Sequence, residues 1–262
     1  FVGHSFSQGG LNCAPIHLGW REIWEVYLAP FQAAIRDANI ATMMNAYPEI
    51  DGEVVAASNR ILTTLLRESL GFTGLVVSDY DAVIMLHNYH YVAKDRKQAA
   101  VKALEAGIDV ELPTITCYGE DLKQAIEAGQ ISIELVDQSV KRHLTKKFEL
   151  GLFENPFVNE DRAIELFDTA EQRALAYEIA CQSMVLLKND GTLPINPKGL
   201  TIGLIGPNAN SSRCMFGDYS YAAVTELLKV LPDENSAFQT LTEDEAQKLF
   251  PLTPTLLEAL RK

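Results

Sequence analysis

The chain has 262 residues, 47% hydrophobic and 22% charged, an ordinary globular composition with room for one large domain or two medium ones. Its formal charge of −13 excludes partners that need clustered Lys and Arg, nucleic acid and anionic membrane surfaces among them. No apolar run reaches the ~18 residues of a membrane-spanning helix. The four cysteines, Cys13, Cys117, Cys181 and Cys214, lack the CxxC spacing of a metal site and are expected to be buried thiols.

In chain order, apolar residues at Trp20, Ile23, Trp24, Tyr27, Leu28, Phe31, Ile35 and Ala38 predict one amphipathic helix over 20–38. A strand over 40–46 and a loop over 47–52 follow. A helix over 58–70 carries Ile61, Leu62, Leu65 and Leu66 on one side. The run Leu75-Val76-Val77, between Gly74 and Ser78, predicts a short strand covered on both faces. It delivers Asp79 at its C-terminal end, the edge where α/β folds place their chemistry. The competing readings of Asp79 are a helix N-cap and a structural ion pair.

A helix over 95–106 ends at Gly107, and a strand covers 108–112. Two further helices cover 119–128 and 132–150, the second stopped by Gly151. This alternation predicts an α/β fold with a parallel sheet. A linker over 153–168 then separates a first domain, residues 1–152, from a second, residues 169–262. The second domain is expected to open with a helix over 169–183. A strand over 201–205 follows, ending at Gly206-Pro207-Asn208-Ala209. That turn lacks the GxGxxG spacing of a dinucleotide site. Thr242 with Glu245 predicts a capping box, and Leu256, Leu257 and Leu260 a last short helix. The βα units before the linker are too few to close a barrel. Either the first domain is a small open sheet or further strands precede Phe1.

Several segments occur together in a telling order. They are Phe1-Val2-Gly3-His4, Ala14-Pro15-Ile16, Arg21-Glu22, Met44-Asn45-Ala46-Tyr47, Asp51-Gly52 and Gly71-Phe72. After them come Val77-Ser78-Asp79-Tyr80, Ala106-Gly107-Ile108-Asp109-Val110-Glu111-Leu112-Pro113, Gly151-Leu152-Phe153 and Ile205-Gly206-Pro207-Asn208-Ala209. Over roughly residues 1–230 the sequence resembles glycoside hydrolase family 3.

The resemblance implies the C-terminal portion of a (β/α)8-type barrel at 1–152, with its N-terminal strands missing. It also implies the incomplete beginning of an α/β sandwich at 169–262, and hence an internal fragment of a longer enzyme. It makes Asp79 the nucleophile of a retaining, exo-acting β-glycosidase that releases terminal glucosyl or xylosyl residues. Tyr47 would stand beside the nucleophile. Tyr80, where the family commonly has Trp, would offer an aromatic face to a sugar. His4 is a substrate-binding candidate; as an acid/base it fails, because Ser5-Phe6-Ser7-Gln8-Gly9 does not match the Asp-Ser-His pattern of the histidine-dependent members. Glu111 is expected to serve as an ion-pair partner, and the true acid/base to lie beyond Lys262. Neither cofactor nor metal is implied. The expected partner is a β-linked oligosaccharide or an aryl or alkyl glycoside, and the fragment alone is expected to be inactive. Alternatives within the fold are a β-N-acetylglucosaminidase, a glycoside phosphorylase, and a non-catalytic carbohydrate-binding relative. Extracellular, periplasmic and cytoplasmic locations are all compatible with the sequence, and no oligomeric state is assigned.

Overall fold

The computed structural model describes residues 1–6, 8–196, 198–217, 219–220, 223 and 254–261. The expected capping box at Thr242 and Glu245 lies outside them. The chain separates into two units, Phe1–Thr169 and Ala170–Lys262.

The first unit is built on a parallel pair. Strand β1 (Thr42–Met44) lies beside β4 (Leu75–Val77), with Thr42 opposite Leu75 and Met44 opposite Val77. On the far side of β1, Phe1 accepts from Ala46 N–H at 2.8 Å and its amino nitrogen donates to Met44 O. That skip of one residue is the pattern of parallel neighbours. On the far side of β4, Asp109 N–H and Val110 N–H reach Val76 O, and Ser78 N–H reaches Val110 O at 2.8 Å. The segment expected to be a strand over 108–112 thus pairs with β4, through a single parallel bridge, Val77 with Val110. Four chain segments therefore lie side by side in sequence order, all parallel. That is the arrangement of a (β/α) barrel wall.

The expected helix over 20–38 is interrupted. It runs as α1 (Trp20–Glu22), passes through a π-helical stretch (Ile23–Tyr27), and resumes as α2 (Ala29–Arg36). Pro30 is the physical reason. It has no N–H to give to the preceding turn, so the helix restarts with proline in its first turn. Arg21 pairs with Glu25 at 2.9 Å, not with its neighbour Glu22.

Between the parallel strands, Asp51 (φ 52°) and Gly52 (φ 82°) form a two-residue turn. It joins β2 (Glu49–Ile50) to β3 (Glu53–Val54) as a hairpin. Two consecutive positive φ values are what an Asp-Gly pair supplies at such a turn. The π-helix Arg60–Ser69 then buries Ile61, Leu62, Leu65 and Leu66, the face read from the sequence.

A helix not expected from the sequence, α3 (Ala82–Asn88), starts directly after Asp81 and buries Ala82, Val83 and Leu86. Beyond it, α4 (Arg96–Ala106) is capped by Asp95, whose side chain accepts Gln98 N–H at 2.8 Å. It ends at Gly107 with φ 112°. A β-carbon there would stand 2.8 Å from Thr63 Oγ1, so glycine serves both backbone shape and packing. The buried face of α4 is Ala99, Ala100, Ala103, Leu104 and Ala106, mostly small side chains that let α3 and α5 (Glu120–Glu127) approach closely. Helix α6 (Ile133–Glu149) is capped by Ser132. Side chains of these elements merge into one apolar core centred on Ile23, Leu28, Leu62, Leu66, Val76, Val83 and Ile108.

After α6 comes the short helix α7 (Ala163–Leu166). In the second unit, α8 (Ala170–Ser183) forms as expected. The expected strand over 201–205 does not form, because no described neighbour offers it a hydrogen-bonding edge. No sandwich sheet is present among the described residues. Helix α9 (Leu256–Leu260) carries a full capping box between Thr255 and Glu258, and Leu257 N–H reaches Ala209 O.

Candidate active site

Asp79 leaves the C-terminal end of β4 half-buried, with main-chain anchors on both sides. Before it, Ser78 is buried; its Oγ accepts Leu112 N–H at 2.8 Å. After it, Asp81 N–H donates to Leu112 O at 3.0 Å and Ala82 N–H to Asp79 O at 3.0 Å. Asp79 N–H itself donates to the side-chain oxygen of buried Asn45 at 3.3 Å. One carboxylate oxygen, Oδ1, accepts Tyr80 N–H at 2.7 Å. Asp81 sits at φ 62°, a left-handed conformation that a non-glycine residue holds only where its surroundings enforce it. The turn is thus fixed by both flanking strands.

Tyr47 follows β1 and faces this turn. Its hydroxyl donates to Tyr80 O at 2.7 Å. A phenol has one proton, and in this geometry it goes to the carbonyl while the Asp79 carboxylate stands close enough to compete for it. Burial first, then that carboxylate as hydrogen-bond partner and as a charge, push the Tyr47 pKa above its ordinary value. Tyr80 is 57% exposed, its ring open to solvent. His4 lies in a short 3₁₀ helix, His4–Phe6, with its side chain exposed.

Three residues given no role at the site from the sequence belong to this neighbourhood. Asn45 is one. Cys13 is half-buried, and burial followed by the Asp79 charge raises its thiol pKa; it also contributes to the Tyr47 shift. His90 is the third. Its pKa is lowered by burial, against a hydrogen bond with the Tyr47 main chain and the charge of Glu49. Asn45 stood inside the segment Met44-Asn45-Ala46-Tyr47 without a role of its own, and the only signal for Cys13 was its adjacency to Ala14-Pro15.

Among the described residues Glu111 has no ion-pair partner. Its buried carboxylate accepts main-chain N–H groups from Thr116 at 3.1 Å, Cys117 at 2.9 Å and Tyr118 at 2.8 Å, stapling the loop after Pro113. The expectation of buried thiols holds for Cys117 alone; Cys13 is half-buried, and Cys181 and Cys214 are exposed. A cavity of about 240 Å³ between α4, α5 and α6 is lined by Leu104, Leu122, Val136 and Asp109 among others, and Asp79 is not part of its wall. Among the described residues, no group of three or more His, Cys, Asp or Glu is arranged to hold a metal ion. None of the described helices is long and apolar enough to cross a membrane.

A carboxylate held at the end of a parallel strand, with a tyrosine and an open aromatic ring beside it, is an arrangement suited to attack on a sugar carbon. The chain belongs to glycosyl hydrolase family 3, whose N-terminal domain matches residues 1–145. It is 33% identical over 227 residues to a beta-xylosidase of Formosa agariphila, covering 84% of this chain and 31% of that relative. It is 34% identical to an exo-1,4-beta-xylosidase of Aspergillus niger, covering 82% of this chain and 28% of that one. Among solved structures it resembles a beta-glucosidase from Listeria innocua in complex with glucose. There the TM-score is 0.76 at 35% identity, over 83% of this chain and 30% of the other. The chain thus spans about a third or less of the length of these relatives.

Proposed function

We propose that this chain is part of a retaining, exo-acting β-glycosidase that releases terminal, non-reducing β-D-xylosyl or β-D-glucosyl residues through a glycosyl-enzyme on Asp79. The observation that carries the reading is the setting of that carboxylate: strand end, doubly anchored main chain, one oxygen occupied by Tyr80 N–H. The second oxygen, Oδ2, is then the one that attacks C1 as the leaving-group oxygen takes a proton. Water later cleaves the ester to give net retention, which needs a second carboxyl group roughly 5 Å away. That acid/base comes from the remainder of the polypeptide. The short coverage of the relatives supports a barrel portion at 1–152, a linker at 153–168 and the start of a sandwich at 169–262.

Tyr47 keeps the turn beneath the sugar in place, and Tyr80 supplies a face for a substrate ring. His4, exposed at the start of the unit, is proposed to contact substrate. The β-xylosidase relatives and the glucose-bound beta-glucosidase support a β-linked oligosaccharide or aryl glycoside as substrate.

The test is turnover of aryl β-xyloside and aryl β-glucoside by the full-length polypeptide that carries this sequence, with and without phosphate. Retention at C1 and indifference to phosphate support the reading. Inversion, or a requirement for phosphate, contradicts it. The 262-residue chain alone is expected to show little or no turnover.

A further inference from the structure

The ladder between β1 and β4 ends in an unusual way at Asp79. Leu75 N–H donates to Ala41 O, and Asn45 N–H donates to Val77 O at 3.3 Å. Parallel strands alternate regularly, so the next rung would join Asp79 N–H to the main-chain carbonyl of Asn45. Instead, Asp79 N–H goes to the side-chain Oδ1 of Asn45 at 3.3 Å. The same amide donates through Nδ2 to Ala46 O at 2.9 Å, which fixes which end of the amide faces Asp79. Asn45 is 1% exposed, so neither bond has water as a ready substitute.

We propose that Asn45 is a positioning residue for Asp79, a side-chain rung that holds the strand end off the regular ladder and aims the carboxylate. The inference rests on the reading of Asp79 as nucleophile. A side chain in place of a carbonyl sets Asp79 farther from β1 than a normal strand would. Tyr47 then secures the Tyr80–Asp81 peptide through Tyr80 O, so β1 and the residues after it grip the turn at the peptides on either side of the Asp79–Tyr80 link. Without Asn45, the half-buried Asp79 N–H loses its partner. The strand end is then free to close onto the main-chain carbonyl, carrying the carboxylate with it. A misplacement of about 1 Å costs up to about 100-fold in rate while leaving sugar contacts elsewhere intact.

The experiment uses the full-length polypeptide and two readouts: kcat and KM on an aryl β-xyloside, and the rate at which a 2-fluoro-xyloside labels Asp79. For Asn45→Ala, kcat and labelling rate are expected to fall about 10- to 100-fold, with KM within about 3-fold of the parent. Asn45→Ser keeps an oxygen acceptor on a shorter arm and covers the case in which the alanine variant does not fold. It is expected to fall about fivefold or more while keeping a cooperative thermal transition, with a midpoint a few degrees below the parent because Ala46 O loses its donor. Labelling of Asp79 at the parent rate in either folded variant overturns the role of Asn45 and leaves the nucleophile standing. Labelling of a different residue in the parent overturns the reading beneath it.

Discussion

Arg67 and Asp109 meet at 2.7 Å, with the aspartate side chain wholly buried and the guanidinium 11% exposed. The same oxygen of Asp109 accepts Val76 N–H at 2.9 Å. Its other oxygen accepts from Arg142 at 2.8 Å and from Ser139 at 2.9 Å. Arg67 also donates to Gly74 O at 2.9 Å. One carboxylate thus binds the π-helix Arg60–Ser69, β4 and α6 to the strand segment that carries it. Gly74 in turn lets the main chain at Ala41, just before β1, come close to the start of β4, since a β-carbon there would collide with Ala41 O. Burial lowers the Arg67 pKa, and the Asp109 charge opposes that shift.

Removing Asp109 should therefore cost more than removing any surface acid. Asp109→Ala leaves two guanidinium groups facing a neutral gap and Val76 N–H without its side-chain acceptor. Breaking a buried pair from one side costs about 3–5 kcal/mol. Urea denaturation should show a loss of that size, whereas Arg21→Ala, which breaks a solvent-exposed pair, should change stability by less than about 1 kcal/mol.

Tyr47→Phe removes the donor to Tyr80 O and leaves the ring in place. In the full-length polypeptide, kcat on an aryl β-xyloside should fall about tenfold, equivalent to about 1.4 kcal/mol of transition-state stabilisation, with the fold intact by circular dichroism. The raised pKa of Tyr47 has a defined sign. Above its unfolded value of about 10, the unfolded chain releases a proton that the native state still holds. Stability therefore falls as pH rises from there through the native pKa. Tyr47→Phe should remove that part of the slope in thermal midpoints measured above pH 10.

Cys117 should be chemically silent in the native state. It is fully buried, and burial, then Glu111, pushes its thiol pKa up to about 12. The thiolate is the reactive form. Iodoacetamide at about pH 8, near an ordinary thiol pKa, should alkylate Cys181 and Cys214 and spare Cys117 until denaturant is added, as mass spectrometry of the peptides would show. Native labelling of Cys117 as fast as Cys181 would contradict the packing of the loop after Pro113.

Helix ends in the first unit were written locally. Asp95, Gly107 and Ser132 cap and terminate helices by chemistry that needs no distant partner. The strand before Asp79 was legible because Leu75-Val76-Val77, an unbroken apolar run between Gly74 and Ser78, has few other uses. What escaped the sequence depended on partners far along the chain. Helix α3 begins three residues after Asp79, where Asp-Tyr-Asp reads as loop; burial of Val83 and Leu86 against the core makes it a helix. Residues 201–205 have strand composition and no described partner strand, and composition alone does not make a ladder. At the site, Asp79 and Tyr47 stood out by motif. The part played by Asn45 was invisible, because a sequence does not say where a side chain will take over from the main chain.

The most direct measurement is to expose the full-length polypeptide to a 2-fluoro-xyloside carrying a good leaving group, digest it and sequence the labelled peptide. The account predicts a single modified residue, Asp79, within the peptide containing Val77-Ser78-Asp79-Tyr80, and no label in Asp79→Ala. A stable label on any other carboxylate, or undiminished turnover by Asp79→Ala, would contradict it.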